Sequence, residues 1–477
     1  FNKNMIQGYL NNRGYVINKN DISDSTKSKI LNDLTVKPYI PKSIIKVNPY
    51  PIYRESVNKY YLPRFYGIDL FGNEYTIKIS KGIDINIDFK GQLRDYQITI
   101  VNKYINYIGN IGGGLLEIDT GLGKTVIALN IISKIKKKTL IIVHKEFLMN
   151  QWIERINEFL PNSKVGKIQG KTIDIDGKDI VIAMLQSLSM KEYDNKIFED
   201  FGLSIIDEVH HLGAEVFCQA FLKFNTLYCL GLSATMNRKD GLSKVFKMFL
   251  GDIIHVEKRI LDTKLTVKAI EYNNNDSDFN EIVYNFKGDP LYSTMISKLC
   301  NFNCRNEFIL NVIKNEFNIN QNQQMIILSH NKSLLEYLYT SINHHKINTV
   351  GYYVGGMKEH ELKESENKKI ILATYSMASE GLDIKSLTTL FLATPKTDIV
   401  QAVGRILRTK HTNPLVIDII DIHDIFQKQF IKRKQFYNKQ GYQIIKTDND
   451  NYINNIWKDI SKKETKKQCL VKSTNLL

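Results

Sequence analysis

The chain has 477 residues, 43% of them hydrophobic, and 65 Lys and Arg against 50 Asp and Glu, a formal net charge of +15. That length allows about three domains of ordinary size, the apolar share supports globular cores, and the charge points to an anionic partner, nucleic acid before others. No apolar run reaches the ~18 residues of a membrane span, so no membrane partner is expected; five scattered cysteines, Cys218, Cys229, Cys300, Cys304 and Cys469, predict reduced thiols in a cytosol-like compartment rather than a disulfide framework.

Residues 1–88 read as an accessory module. They hold Pro38, Pro41, Pro49, Pro51 and Pro63 and one strand-like alternation, "FGNEYTIKIS" (71–80),. No basic-then-apolar leader opens them, and the start at Phe1 leaves an upstream segment open,. "KYYLPRFYG" (59–67) mixes aromatic rings with Lys59 and Arg64. Such a mix can stack bases and hold phosphates, or form a local core, which is the plainer reading.

From 89 to 255, short apolar runs alternate with helical stretches: "LLEI" (115–118), "TLIIVH" (139–144), "DIVIAM" (179–184), "LSIID" (203–207) and "YCLGLSA" (228–234). Runs of this kind predict a parallel sheet covered on both faces. The rhythm breaks over 251–290. It resumes with "MIILSH" (325–330), "NTVGYYV" (348–354), "KIILAT" (369–374), "TLFLAT" (389–394) and "PLVIDII" (414–420), giving a second α/β domain over 256–425. Cys300 and Cys304, four apart, are expected on one helix face as buried thiols. The remainder, 426–477, reads as a basic helix and tail: Phe426 and Phe430 share a face among Lys428, Lys432, Arg433 and Lys434. A capping helix is the plainer reading and a nucleic-acid contact the other.

The chemistry concentrates in "LLEIDTGLGKTVIAL" (115–129), a strand, a glycine loop and a helix start. Gly121 and Gly123 allow a tight turn and close phosphate approach, and backbone N–H groups at the helix start then face the phosphates. Lys124 supplies charge to the β and γ phosphates and Thr125 a hydroxyl for Mg2+. The strict pattern has Gly at position 118, where this chain has Ile118. Asp207 and Glu208 end an apolar strand, where open sheets gather carboxylates for a nucleotide. Asp207 would hold Mg2+ and Glu208 would polarise water.

In order along the chain come "LRDYQ" (93–97), "TGLGKT" (120–125), "IIVHKEFLMNQW" (141–152), "AMLQSL" (183–188), "DEVH" (207–210), "SAT" (233–235), "NRKDG" (237–241), "ATYSMASEGLDI" (373–384) and "QAVGRILR" (401–408). With these the chain resembles a superfamily 2 helicase of the DExH type, and within it the helicases of large DNA viruses, giant viruses and poxviruses. The resemblance implies an α/β fold of two tandem RecA-like parallel-sheet domains of the P-loop NTPase type, with a small N-terminal accessory domain and ATP bound between the two.

For the nucleotide it implies Arg94 and Gln97 at the adenine, and Thr120, Gly121, Leu122, Gly123, Lys124 and Thr125 at the phosphates. From the second domain come Gly381 and Asp383, with Gln401, Arg405 and Arg408 acting on the γ-phosphate. His210, Ser233 and Thr235 would couple nucleotide to movement. Candidate strand contacts are His144, Lys145, Gln186 and Ser187 in the first domain, and Ser329, His330, Gly356, Thr374 and Ser376 in the second. His211 has no role in this scheme. The cofactors implied are ATP and Mg2+; the partner is nucleic acid, DNA and 3′→5′ movement being favoured, with the transcription machinery a candidate. A cytoplasmic monomer, in a viral factory or virion, is the matching expectation. The competing reading is a nucleic-acid clamp or duplex translocase that uses ATP without separating strands.

Overall fold

The computed structural model describes residues 8–37, 48–72, 74–209, 214–236, 243–258, 265–380, 384–407, 411 and 413–461. The chain divides into two compact units, Phe1–Arg259 and Ile260–Leu477.

In the first unit, an eight-stranded sheet runs Thr172–Asp174, Val165–Gln169, Ile180–Met184, Thr139–Val143, Leu203–Ile206, Tyr228–Ser233, Gly113–Ile118, Ile253–Glu257 from edge to edge. All neighbours are parallel except the first pair. The five apolar runs singled out in the sequence all lie within it. Their side chains alternate across the sheet, as a period of two requires. Leu115, Leu140, Ile142 and Val181 enter one core. Leu116, Ile141, Ile182 and Ile205 enter the other, under the helices Asp95–Ile111, Lys124–Ile135 and Glu146–Phe159. Burial on both faces is why these strands read as unbroken apolar runs.

The N-terminal segment has a five-stranded sheet, ordered Arg54–Glu55, Lys59–Leu62, Gly14–Asn18, Gly8–Asn11, Tyr75–Ile77. It was expected as a module of its own, but it shares a core with the large sheet. Leu10, Tyr15, Leu62 and Phe65 pack in one cluster with Leu115, Leu140 and Val181. Arg64, 3% exposed, donates to the carbonyls of Thr226 (3.2 Å), Leu227 (2.9 Å) and Ile111 (3.0 Å). It therefore closes backbone ends of the large sheet, the local-core reading for this one residue, and is withdrawn from any phosphate.

The second unit repeats the architecture. Its eight strands run Val350–Tyr353, Ile370–Thr374, Met325–Ser329, Thr389–Leu392, Leu415–Asp421, Thr266–Tyr272, Gln443–Asp448, Lys458–Asp459, parallel but for the last pair. Three of these strands lie outside the apolar runs read from the sequence, the short Lys458–Asp459 at the edge among them. Thr266–Tyr272 falls where the rhythm breaks, and Gln443–Asp448 falls in the supposed tail. The stretch beyond 426 thus completes this unit's sheet rather than trailing from it. Its helix Asp424–Lys439 buries Phe426, Phe430, Arg433 and Tyr437, the capping role. Cys300 and Cys304 do not share a helix: Tyr292–Asn301 ends before Asn303–Ile319 begins. Cys300 is buried and Cys304 exposed.

No helix among the described residues is long and apolar enough to cross a membrane.

Candidate nucleotide site and nucleic-acid contacts

The glycine loop follows the strand Gly113–Ile118, and its helix opens at Lys124. Ile118 is fully buried as the strand's last residue. The position is spent on the core, which explains a side chain where the strict pattern has glycine. Gly121 and Gly123 both take the left-handed region, φ 84° and 81°, where a β-carbon is strained. At Gly123 it would also lie 2.5 Å from the Gln97 amide nitrogen. The Leu122 N–H donates to the Asp119 carbonyl at 3.2 Å, tightening the turn. Thr120 precedes the turn and Thr125 is the helix's second residue.

Two side chains of "LRDYQ" hold this loop from behind. Gln97 Nε2 and Tyr96 Oη both donate to the Leu122 carbonyl, at 3.1 and 3.0 Å. Gln97 Oε1 accepts from the Arg94 N–H at 3.0 Å, closing a capping box on the helix Asp95–Ile111. Gln97 is 5% exposed. Its amide, expected at the adenine, braces the phosphate loop. Tyr96 had no role in the sequence reading; a phenol beside a glutamine gives no sign of the carbonyl both will reach.

Asp207 and Glu208 follow the buried strand Leu203–Ile206, two strands from the glycine loop's own. Glu208 has a left-handed backbone, φ 50°, costly for a residue with a β-carbon and found where geometry matters more than ease. That turn brings its carboxylate against the Lys124 ammonium, both groups mostly buried. Asp207 is 7% exposed. Its Oδ1 accepts from the Glu208 N–H at 2.9 Å and its Oδ2 from the Trp152 indole N–H at 2.9 Å. Burial pushes the Asp207 carboxyl above the usual carboxylate range, and the Glu208 charge adds to this. Lys124 and the Trp152 N–H pull it back.

Trp152 went unmarked in the sequence reading, because it lies 55 positions from its partner. Trp152→Phe is expected to keep the packing of the ring and remove the donor. ATP turnover should fall about tenfold, the value of roughly 1.4 kcal/mol of lost charge-assisted hydrogen bonding, and half-maximal activity should require more Mg2+. Steady-state phosphate release across a magnesium titration measures both.

The oxygen donors here suit a hard divalent cation: a threonine hydroxyl at a helix start and a buried carboxylate at a strand end. A glycine turn that opens a helix at a lysine suits a polyphosphate. The residues present therefore fit ATP and Mg2+.

Ser233 ends the strand beside that of Asp207. Fully buried, it donates to the Thr235 carbonyl at 2.5 Å and accepts the Thr235 N–H at 3.3 Å. His210 and His211 lie outside the described residues, as do "NRKDG", Gly381, Asp383 and Arg408. In the second unit Gln401 and Arg405 share the helix Val400–Ile406. Arg405, 7% exposed, donates Nε–H to the Ala378 carbonyl at 3.0 Å. The helices Tyr375–Glu380 and Val400–Ile406 are thus tied together.

The candidate strand contacts gather at strand C-terminal ends in each unit. In the first, Thr139–Val143 and Ile180–Met184 are neighbours. His144 and Lys145 follow one, Gln186 and Ser187 the other, and Gln186 Nε2 donates to the His144 carbonyl at 3.0 Å. Ser187 Oγ accepts from the Gly170 N–H at 2.9 Å.

In the second unit, Val350–Tyr353, Ile370–Thr374 and Met325–Ser329 are adjacent. Gly356 is exposed with φ 93°, and Thr374 and Ser376 share a hydroxyl contact of 3.2 Å. Ser329 is fully buried, and its hydroxyl donates to the Asn331 carbonyl at 3.0 Å. His330 faces Thr394, its Nδ1 2.8 Å from the hydroxyl. Burial, then the nearby Lys396 charge, lowers its pKa to about 4, so at neutral pH it meets a phosphate only as an uncharged imidazole.

Comparison with known proteins identifies the family. A family model described as "Type III restriction enzyme, res subunit" matches residues 90–238, and one described as "Helicase conserved C-terminal domain" matches 305–410. A protein of Acanthamoeba polyphaga mimivirus named as a putative ATP-dependent RNA helicase is 39% identical over 93% of this chain and 87% of its own length. A putative helicase of Invertebrate iridescent virus 6 is 28% identical over 75% of this chain and 83% of its own. A putative ATP-dependent RNA helicase of African swine fever virus (Kenya isolate) is 29% identical over 74% of each. With both helicase models matched in order and a relative aligned along most of its length, the chain belongs to the superfamily 2 helicases, ATP-dependent enzymes with homologues in large DNA viruses.

Proposed function

We propose that this helicase hydrolyses ATP at the glycine loop of its first unit and uses the cycle to move 3′→5′ along a DNA strand. The observation that carries the chemistry is Lys124 held against Glu208 beside the buried Asp207. In this reading Lys124 takes the β and γ phosphates, and Thr125 and Asp207 hold Mg2+. When bound, that ion neutralises phosphate oxygens. Glu208 orients and polarises the attacking water. Arg405 and Arg408 stabilise charge spreading over the transferred phosphoryl group, a task worth roughly 10³–10⁵ in rate. Gln401 aligns them, and Gly381 and Asp383 approach the nucleotide from the same unit. His210, Ser233 and Thr235 transmit the change. Residues 89–255 carry the nucleotide, and the second helicase domain extends from 256 past 425 through the strands to 459.

Strand grip in this scheme comes from His144, Lys145, Gln186 and Ser187, and from His330, Gly356, Thr374 and Ser376. Hydroxyls and backbone amides hold phosphates without reading bases, as movement along any sequence demands. A role in viral transcription or transcript release, as a monomer in the infected cytoplasm, is part of this proposal.

The printed names of the mimivirus and swine fever virus relatives favour a second reading, RNA as the strand. Phosphate release measured with single-stranded DNA, duplex DNA and RNA, beside strand displacement on 3′- and 5′-tailed duplexes, separates the readings. Single-stranded DNA is expected to stimulate most, and 3′-tailed DNA to be unwound. Stronger stimulation and unwinding with RNA would establish the second reading. Stimulation without displacement would point to the clamp or duplex translocase, and no stimulation by any nucleic acid would end the proposal.

A further inference from the structure

The N-terminal sheet buries one face and turns the other outward. Its register sets what the outer face presents. Tyr9 pairs with Val16 and with Thr76, Val16 with Tyr61, and Tyr61 with Arg54. One row across five strands therefore reads Arg54, Tyr61, Val16, Tyr9, Thr76. By the same alternation Lys59 lies on this face two residues from Tyr61, and Lys78 two residues from Thr76. Val16, at the centre of the row, is fully buried, while Tyr9 and Tyr61 on either side are half-buried and Lys78 and Thr76 exposed.

Cations lie over both rings. Lys78 stands 4.4 Å from the Tyr9 centroid and Lys59 5.5 Å from it, with Lys59 Nζ donating to Tyr9 Oη at 3.2 Å. Arg13, in the turn between two of the strands, stands 5.6 Å from the Tyr61 centroid. Arg13, Arg54, Lys59 and Lys78 make four positive charges; Glu55, beside Arg54, alternates to the opposite face and pairs with Lys19 at 2.6 Å, and Glu74 stands at one corner before Tyr75–Ile77. A strongly cationic, aromatic face complements a polyanion that also carries flat rings.

We propose that this face docks single-stranded nucleic acid. It rests on the nucleic-acid reading above and extends it to a surface away from the glycine loop. The cations rest on the tyrosine rings; when a strand arrives they move to its phosphates and leave the rings to unpaired bases. An exposed cation–π contact is weak beside a base stack, so the exchange runs toward binding. Tyr9 and Tyr61 lie roughly 10 Å apart, with one strand between them. A duplex has no unpaired base to offer the rings, which is why the occupant is a single strand.

The test uses the full chain, a fluorescein-labelled oligothymidylate and a blunt hairpin duplex, read by anisotropy across salt concentrations. Arg54→Gln, Lys59→Gln and Lys78→Gln combined should weaken oligothymidylate binding at least tenfold. The same variant should flatten the salt slope by about 2, three charges at roughly 0.7 each. Tyr9→Leu with Tyr61→Leu should weaken binding about tenfold with the slope kept, and should spare the hairpin. Hydrolysis of ATP without nucleic acid should be unchanged in both, and melting curves confirm that they fold. Equal affinity and slope in wild type and variants overturns the face while leaving the helicase reading intact. A hairpin loss as large as the oligothymidylate loss overturns the single-strand assignment. A wild-type chain that binds neither probe ends both readings.

Discussion

Lys124→Ala is expected to abolish ATP hydrolysis, and Glu208→Gln to leave ATP binding in place while stopping turnover. The two residues touch each other, yet their tasks differ. Lys124 begins the helix behind the glycine turn, so its ammonium adds to the N–H groups that meet a phosphate,. Its loss removes charge stabilisation in both ground and transition states, worth about 10²–10³ in rate for a single oriented donor, together with affinity. Glu208→Gln keeps the shape and removes only the charge that polarises water, a general-base contribution of about 10²–10⁴. The Gln variant should also bind ATP at least as well, because a negative charge near the phosphates is gone. Phosphate release and equilibrium binding of a fluorescent ATP analogue separate the two effects. Normal turnover in either variant would refute the assignment of the site.

The largest expected loss of stability lies in the second unit, at Asp418→Ala. Asp418 and Asp421, on one strand, are fully buried. Asp418 accepts from Arg433 Nε at 2.8 Å and Nη2 at 2.9 Å, and from Tyr437 Oη at 2.9 Å. Asp421 accepts from Arg305 Nε at 2.6 Å and Nη2 at 2.9 Å. Each arginine spends a further N–H on the loop after Thr389–Leu392: Arg305 on the Ala393 carbonyl, Arg433 on the Lys396 carbonyl, both at 2.8 Å. Between them Thr394 meets His330 and accepts the Tyr375 hydroxyl at 2.5 Å.

Removing Asp418 strands a buried guanidinium, which costs about 3–5 kcal/mol. Replacing the pair together, Asp418→Leu with Arg433→Met, should recover much of this, since paired buried charges return little over apolar substitutes. Urea unfolding followed by fluorescence reads it cleanly. Of the two tryptophans, Trp457 lies in the second unit, so a Trp152→Phe background reports that unit alone. A loss under about 1 kcal/mol, the surface ion-pair range, would show that the pair is not buried in solution.

The strands around both candidate sites were legible because burial on two faces leaves short apolar, β-branched runs that alternate with longer helical stretches. Thr266–Tyr272 was not. Its "TVKAIEY" interleaves Lys268 and Glu271 with apolar residues, and each charge has a partner: Lys268 reaches Glu316 at 2.7 Å, and Glu271 takes Lys446 at 2.6 Å. Arg305 and Arg433 were hidden for the same reason. An arginine in a charged helix looks solvated until its carboxylate, 116 or 15 positions away, is known. The glycine loop and acid pair were legible because phosphate chemistry fixes their residue types and spacing. Gln97 shows the limit: a motif names the residue, while the carbonyl it reaches is set by packing.

The clasp made by Arg64 gives the first unit a property of its whole length. Its guanidinium ties the N-terminal segment to carbonyls at Ile111, Thr226 and Leu227, at the opposite strand ends from the glycine loop. Protection of backbone amides against solvent exchange should therefore rise in Gly14–Asn18 and Lys59–Leu62 when ATP occupies the loop, because a shared core opens as one body and a ligand on any part of it lowers the open population of the whole,. Trimming the chain to begin at residue 89 would not free an ATPase domain. It would strip the apolar cover from one face of its sheet.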